Sequence, residues 1–488
     1  MTESPHTVAA LRERHGPHYR WWVLLTVMTG TMASIMSSTI VNVAVPDMSR
    51  VFALGQERAQ WMSAGFMAAM TVSMLTTPWL LSRFGYRRSY VGVTLLLMAG
   101  GIGGGLGQSY DWVLAMRVAE GLAAGIMQPI PAIIVMRAFE PHEQGRAMGV
   151  FGMGVVLAPA VGPSIGGVLV EHFGWRSIFF VVVPLTLAAL ALARRYLPHS
   201  APGGLPTNAP GVRLDRPGLV LMALTILALL NGMVQLHAGA GGLVLLGVAA
   251  TSLAVFVVRQ RRAAHPLLEL SLFGHRTFAM GGCVAFIYGM ALFGSTYLVP
   301  VFMQVALDLP PSQAGAVLMP AGFLLALTIP VAGRMADRRS IRALVVAGLL
   351  LLALSFALML GVGLGTALSV ITLWAAVGRV GLGFVLPSLN LGAMRGLPPA
   401  LISQGASTVN FLRQLGGAVG VSLIGIVLEW RLRAHGVAVH AAAGSAGQVA
   451  AFHESFVLLA ALTLAACAAA WQMRAPAAAR VREEVSRS

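Results

Sequence analysis

From Trp21 to Val45 the chain runs without a single charged residue, and thirteen further apolar stretches follow it before Trp471. About 20 apolar residues in helical form span the hydrocarbon core of a bilayer. Lipid offers no partner to a backbone amide, so each such stretch must close its own hydrogen bonds as a helix. The first six predicted spans are Trp21 to Val45, Ala59 to Leu81, Tyr90 to Gln108, Trp112 to Met136, Ala147 to Val170 and Ser177 to Leu197. Leu219 to Gln235 and Gly242 to Val258 come next, after the polar, Pro- and Gly-rich linker HSAPGGLPTNAPGVRLDRPG. Phe278 to Phe302, Ser312 to Gly333, Ala343 to Leu364, Leu368 to Leu391, Gly405 to Leu428 and Ser455 to Trp471 complete the set. A composition of 57% hydrophobic and 10% charged residues belongs to the same class. The fold expected is all-α: a polytopic membrane protein with 14 transmembrane helices.

Charge orients that bundle. All 33 basic residues are arginine, which points to codon bias in a GC-rich genome. Arg117, Arg379 and Arg413 fall inside spans, Arg50, Arg58, Arg176, Arg431 and Arg433 on one side, and the other 25 on the side of both termini. The positive-inside rule then puts both termini in the cytoplasm. A net charge of +16 would suggest nucleic acid in a soluble chain, but here it lies in short loops between apolar segments, so no nucleic-acid partner is expected. Cys283 and Cys467 sit in apolar segments and form no metal or disulfide framework. The first twenty residues lack a signal peptide's apolar core, so the first helix is expected to be retained.

An internal repeat divides the chain. PWLLSRFGYRRS follows the second span and GRMADRRSIRA follows the tenth. Two spans further on in each half, an in-span arginine has glycine four residues later: Arg117 with Gly121, and Arg379 with Gly383. Such repeats mark two-bundle transporters. The expected organisation is a tail over residues 1–20, a six-helix bundle over 21–197, loops and two inserted helices over 198–276, a second six-helix bundle over 277–473, and a tail over 474–488. No span carries a deep histidine, paired carboxylates of the hydrolase kind are missing, and no GxxxxGK[ST] loop is present. An enzyme, a cofactor, a metal site and ATP-driven transport are therefore not expected, and the energy must come from a gradient.

The stretch Ala158 to Leu185, APAVGPSIGGVLVEHFGWRSIFFVVVPL, puts glycine and proline inside an apolar helix and Trp175 and Arg176 at its exit. Gly154, Gly162, Gly166 and Gly167 offer a neighbouring helix close approach, while Pro159 and Pro163 remove backbone donors and bend the rod. A helix that rocks against its partner can use both properties.

This stretch resembles the antiporter motif and WRxIF signature of major facilitator drug exporters. The two loop strings resemble that superfamily's cytoplasmic-loop motif, and RVAEG at Arg117 to Gly121 resembles its helix-4 motif. STIVNVAVP at Ser38 to Pro46 is similar to the helix-1 motif of the fourteen-helix drug:proton antiporters, the EmrB/QacA-like branch. VPVFMQVALDLPPSQAGAVLMP at Val299 to Pro320 and GASTVNFLRQLGGAVG at Gly405 to Gly420 add to it. The resemblance implies proton-coupled export of small lipophilic compounds, drugs or toxic metabolites, by alternating access across a bacterial inner membrane. Its partners would be a small-molecule substrate, protons and the lipid bilayer, with a periplasmic adaptor and outer-membrane channel left open. In the loop motif, Arg83, Gly85, Arg87, Gly333, Asp337 and Arg338 would latch a loop to a helix end, against the plainer reading of solvated loop charges. Gly162, Pro163, Gly166 and Gly167 would form the conformational motif.

The chain departs from the pattern where coupling is expected. Similar exporters have an aspartate in helix 1 where this chain has Ser37, an aspartate in the first loop where it has Ser82, and an asparagine before the helix-6 proline where it has Val182. One acid, Glu120, sits well inside a span and replaces a common glutamine. Arg117, Glu120, Gly121, Ala124 and Gln128 follow helical spacing and share one stripe of the helix. An intramembrane acid is a functional candidate by default, and Glu120 with Arg117 is the expected proton-coupling pair. Burial favours the neutral carboxylic acid and a guanidinium the carboxylate, so a movement that alters either can load or release a proton. The alternative is a permanent pair that only locks packing. Asn42, Gln128, Tyr288, Tyr297, Asn390, Asn410, Arg413 and Gln414 are candidates for the substrate cavity, where a few polar groups orient a mostly apolar ligand; each also suits an interhelical hydrogen bond. Two other readings stand beside export: an uncoupled facilitator or substrate sensor on the same fold, and an importer of a small metabolite.

Overall fold

Helix follows helix through the computed structural model, which describes residues 8–199, 212–237, 240–437 and 445–473, and no strand occurs among them. The tail 474–488, with Arg474, Arg480, Arg482 and Arg487, and linker residues 200–211 lie outside the described residues. The helices are α1 Val8–His15, α2 Tyr19–Val51, α3 Gln56–Ser73, α4 Thr77–Gly105, α5 Tyr110–Met127, α6 Ile130–Ala138, α7 Gln144–Phe173, α8 Ser177–Phe180 and α9 Val182–Tyr196. They continue as α10 Arg216–Val234, α11 Ala240–Arg262, α12 Arg276–Val305, α13 Pro311–Arg338, α14 Ile341–Met359, α15 Leu368–Met394, α16 Ile402–Ala434 and α17 Ala446–Trp471. Residues 8–20 hold more order than a plain tail: α1 forms within them, and His15 meets Tyr196 edge-on with ring centroids 5.0 Å apart.

Among the described residues, thirteen helices are long and apolar enough to cross a membrane, and one of them, Arg58–Gly105, runs for 48 residues. No bilayer needs so long a rod. Gly85 breaks it, with φ 78° and ψ 171° in a region that side-chain-bearing residues avoid. The chain doubles back there, for Ser89 Oγ donates to the Leu80 carbonyl at 2.8 Å. Two crossings on either side of Gly85 bring the total to the expected fourteen. The fourth span also breaks, at Gln128 and Pro129, between α5 and α6, because proline has no amide to continue the ladder.

Two compact units emerge. The first comprises Met1–Ile226, Ser252–Leu270 and Pro399–Phe411; the second comprises Leu227–Thr251, Ser271–Pro398 and Leu412–Ser488. Within the first, α2 packs on α7 and α9, and α5 packs on α3 and α4. Within the second, α15 packs on α13 and α14, and α17 packs on α12 and α14. Glycine sets the closest contacts, since lipid supplies no hydrophobic drive and helices associate by tight packing. A Cβ at Gly121 of α5 would lie 2.4 Å from the Phe66 carbonyl of α3, and one at Gly416 of α16 would lie 2.0 Å from the Phe286 carbonyl of α12. Large apolar side chains such as Val220, Leu243 and Leu327 stay exposed, as expected of surfaces facing lipid.

Candidate functional site

In the first unit, Arg117 and Glu120 lie three residues apart on α5, one helical turn, and are 1% and 0% exposed. Arg117 Nη1 donates to Glu120 Oε2 at 2.7 Å. The same nitrogen reaches α2, donating to Ser37 Oγ at 3.0 Å and to the Ser37 carbonyl at 3.2 Å. Arg117 Nε donates to the Met62 carbonyl of α3 at 3.3 Å, and the guanidinium stands 4.3 Å from the centre of the Phe66 ring. One cation thus holds three helices. Glu120 Oε1 and Arg117 Nη2 are buried and have no hydrogen-bond partner.

Glycines of α4 leave room for the carboxyl. A Cβ at Gly100 would lie 2.6 Å from Glu120 Cγ, and one at Gly101 would lie 3.6 Å from Glu120 Oε1 and 2.9 Å from the Phe179 carbonyl. Sequence reasoning did not single these two out, although the run GGIGGG in the third span is a small-residue stripe of the kind that marks a helix contact. The stripe expected on the fourth span extends only to the end of α5, where Gln128 is the C-terminal cap and is buried.

The antiporter-like segment packs against α2. A Cβ at Gly154 would meet Met28 Sδ at 3.0 Å, at Gly162 would meet Thr39 Oγ1 at 2.9 Å, and at Gly166 would meet Ile40 Cγ1 at 2.6 Å. Gly167 does not share this role: nothing lies within 4 Å of its Cβ position, because it points away from the α2 contact. α7 runs unbroken through the segment, and the side chain of Pro163 lies outside the described residues.

In the loop motif, Arg87 Nη2 donates to the Arg194 carbonyl in the last turn of α9 at 3.0 Å, a cation on the negative end of a helix. Arg83 is exposed, and Gly85 supplies the turn between them. In the second unit Gly333 is buried in α13, Asp337 is half-buried, and Arg338 is exposed in the last turn. The polar candidates are spread along their helices. In the first unit, Asn42 is exposed and accepts from Ser63 Oγ at 2.7 Å, while Asn410 donates to the Ala406 carbonyl of its own helix at 2.9 Å. In the second, the buried Tyr288 hydroxyl donates to the Leu382 carbonyl of α15 at 3.3 Å. Asn390 and Gln414 are buried there, Tyr297 is 39% exposed, and the Arg413 carbonyl lies against Gly289.

Fourteen crossings and an internal charge cluster on a glycine-packed helix define a multi-pass membrane transporter. Residues 27–421 match the model of the Major Facilitator Superfamily, and the chain belongs to that family. A multidrug resistance protein B homolog of Mycobacterium tuberculosis is 30% identical over 429 residues, covering 84% of this chain and 77% of that protein. The lincomycin resistance protein LmrB of Listeria innocua is 26% identical over 409 residues, covering 82% of this chain and 85% of that protein. Among solved structures, the human organic anion transporter MFSD10 superposes with a TM-score of 0.64 at 18% identity, over 93% of this chain and all of that one. At that identity the likeness speaks for the fold alone.

Proposed function

We propose that this protein exports small lipophilic compounds in exchange for protons, by alternating access of two six-helix bundles over residues 21–197 and 277–473. Both termini would face the cytoplasm of a bacterium, on the strength of the arginine distribution. The resistance named in its relatives supports the cargo class. The candidate polar side chains from Asn42 to Gln414 are the proposed cargo contacts, and the inserted helices stand between the bundles in sequence.

The Arg117, Glu120 and Ser37 cluster carries this reading. Glu120 Oε2 neutralises Arg117, while Oε1 has no partner and is the open position for a proton. A proton there turns the carboxylate into a neutral acid and leaves Arg117 without its counter-ion. Arg117 also bonds Ser37 on α2 and Met62 on α3, so loading and unloading the proton changes what holds three helices together. The usual helix-1 acid would stand at Ser37, whose hydroxyl is 3.0 Å from the same guanidinium. One carboxylate on either helix can therefore serve one cation.

Liposomes with an imposed pH gradient and a fluorescent lipophilic dye provide the test. Glu120→Gln keeps the volume and removes the titratable group, so efflux should lose its dependence on the gradient. Ser37→Asp in that background should restore part of it. Efflux by Glu120→Gln with the wild-type gradient dependence would overturn the assignment.

A further inference from the structure

In the first unit, the turn Met74–Thr76, α4, α6 and the start of α16 line a cavity of about 460 Å³ together with the segments flanking the inserted helices, Val212 to Asp215 and Ala264 to Glu269. Fixed hydrogen bonds hold its walls. Trp79 Nε1 donates to the Val212 carbonyl at 3.2 Å. Asp215 accepts from the Gly218 amide at 3.0 Å, from Arg259 Nε at 2.7 Å and from Gln260 Nε2 at 2.8 Å. Gln260 Oε1 in turn accepts the Leu267 and Leu268 amides at 2.6 and 3.1 Å. Burial pushes the Asp215 carboxyl up, but the Gly218 amide, Arg259 and Gln260 outweigh it and hold the carboxyl below its ordinary value. The bridge that shapes the cavity is therefore ionised at neutral pH.

Three polar atoms on the lining residues are buried without a hydrogen bond of good geometry: the hydroxyl of Tyr86, a residue only 2% exposed whose hydroxyl lies beside Ser403, Arg137 Nε and Gln404 Oε1. Native proteins rarely leave such groups unpaired, because each loses its water and gains nothing. The lining is also charged unevenly. Arg137, whose Nη2 also donates to the Pro399 carbonyl at 3.3 Å and to Ser403 Oγ at 3.2 Å, and Arg213 line it, the Asp215 charge is answered by Arg259, and Glu269 is the other acid. Leu75, Pro78, Leu81, Leu214 and Leu267 make the rest of the wall apolar.

We propose that this cavity binds an anionic amphiphile. Its phosphate or carboxylate pairs with Arg137 and Arg213 and accepts from the Tyr86 hydroxyl, and its apolar part lies against Leu75, Pro78 and Leu214. The occupant is an organic anion of drug or lipid-headgroup size, matched to guanidinium chemistry at one end and to aliphatic side chains at the other. The two segments that flank the inserted helices build half of this site, which gives the insertion a role of its own.

Native mass spectrometry of the full chain in detergent tests it with four probes: dihexanoyl phosphatidylglycerol, hexyl phosphate, inorganic phosphate and dihexanoyl phosphatidylcholine. The wild type should retain phosphatidylglycerol or hexyl phosphate about tenfold better than Arg137→Gln/Arg213→Gln, with phosphatidylcholine retained equally by both. Phosphatidylglycerol alone identifies a membrane lipid as the source; hexyl phosphate, alone or as well, identifies a soluble amphiphile. Should the double variant fail to fold, Arg213→Gln at an exposed position, Tyr86→Phe, and Leu214→Trp to fill the apolar side decide in its place, each lowering retention. Retention by the variants equal to wild type, no retention by the wild type, or inorganic phosphate held as well as hexyl phosphate overturns the proposal.

Discussion

Arg117 has one counter-ion and bonds to three helices. Removing either partner of a buried pair leaves a desolvated charge without compensation, at about 3–5 kcal/mol, whereas replacing both partners by apolar or neutral groups is often close to neutral. Arg117→Met should therefore cost the larger amount, seen as a loss of monodisperse protein on fluorescence-detected size exclusion after heating. Adding Glu120→Gln to it should recover much of that loss. Equal losses in the single and double variants would mean that the bonds to Ser37 and Met62, rather than the charge, hold the site. The pair itself was legible, because i and i+3 on one helix meet whatever surrounds them. The third member, Ser37, was legible only as a departure from a family pattern. Its bond to Arg117 depends on how α2 lies against α5.

At the scale of the element, glycine contacts divide by what they touch. Gly162 and Gly166 of α7 approach the Thr39 hydroxyl and the Ile40 side chain, atoms that can yield by a rotamer change. Gly416 of α16 approaches the backbone of α12, which cannot. Gly162→Leu and Gly166→Leu should accordingly leave membrane levels near normal while blocking export, since added side chain would obstruct the sliding or rocking proposed for this helix. Gly416→Leu should lose the protein itself. Gly167→Leu faces open space and should transport as the wild type does. Quantitative blotting beside dye efflux separates these outcomes, and full transport by both Gly162→Leu and Gly166→Leu would remove the proposed rocking role. The sequence grouped Gly154, Gly162, Gly166 and Gly167 as sites of close helix approach. Three of them meet α2, because residues a quarter-turn apart on a helix face different neighbours.

For the whole molecule the decisive quantity is the side of the membrane on which the arginines lie. Reporter fusions at either terminus, or in the loop at Arg213, should report the cytoplasm. A terminus reporting the periplasm would sink the proposed orientation, and with it the direction of export. The count of crossings rests on Gly85, the one position where a 48-residue helical run turns back on itself. That break was readable beforehand, because the apolar pattern lapses at the charged string around it.

What the sequence by itself determined follows from constraints that act along the chain. An apolar run in lipid has one way to satisfy its backbone, so class and span number could be read off residue by residue. Short-range spacing likewise delivered the Arg117 and Glu120 pair. Tertiary structure decided everything that depends on which face a helix turns to its neighbour: Ser37 against Arg117, Gly100 and Gly101 beside the Glu120 carboxyl, Gly167 standing idle, and Tyr86, Arg213 and Gln404 lining one cavity. A helix that is apolar all round carries no stripe to mark its buried side, so periodicity cannot choose among its faces, and only packing against specific partners does.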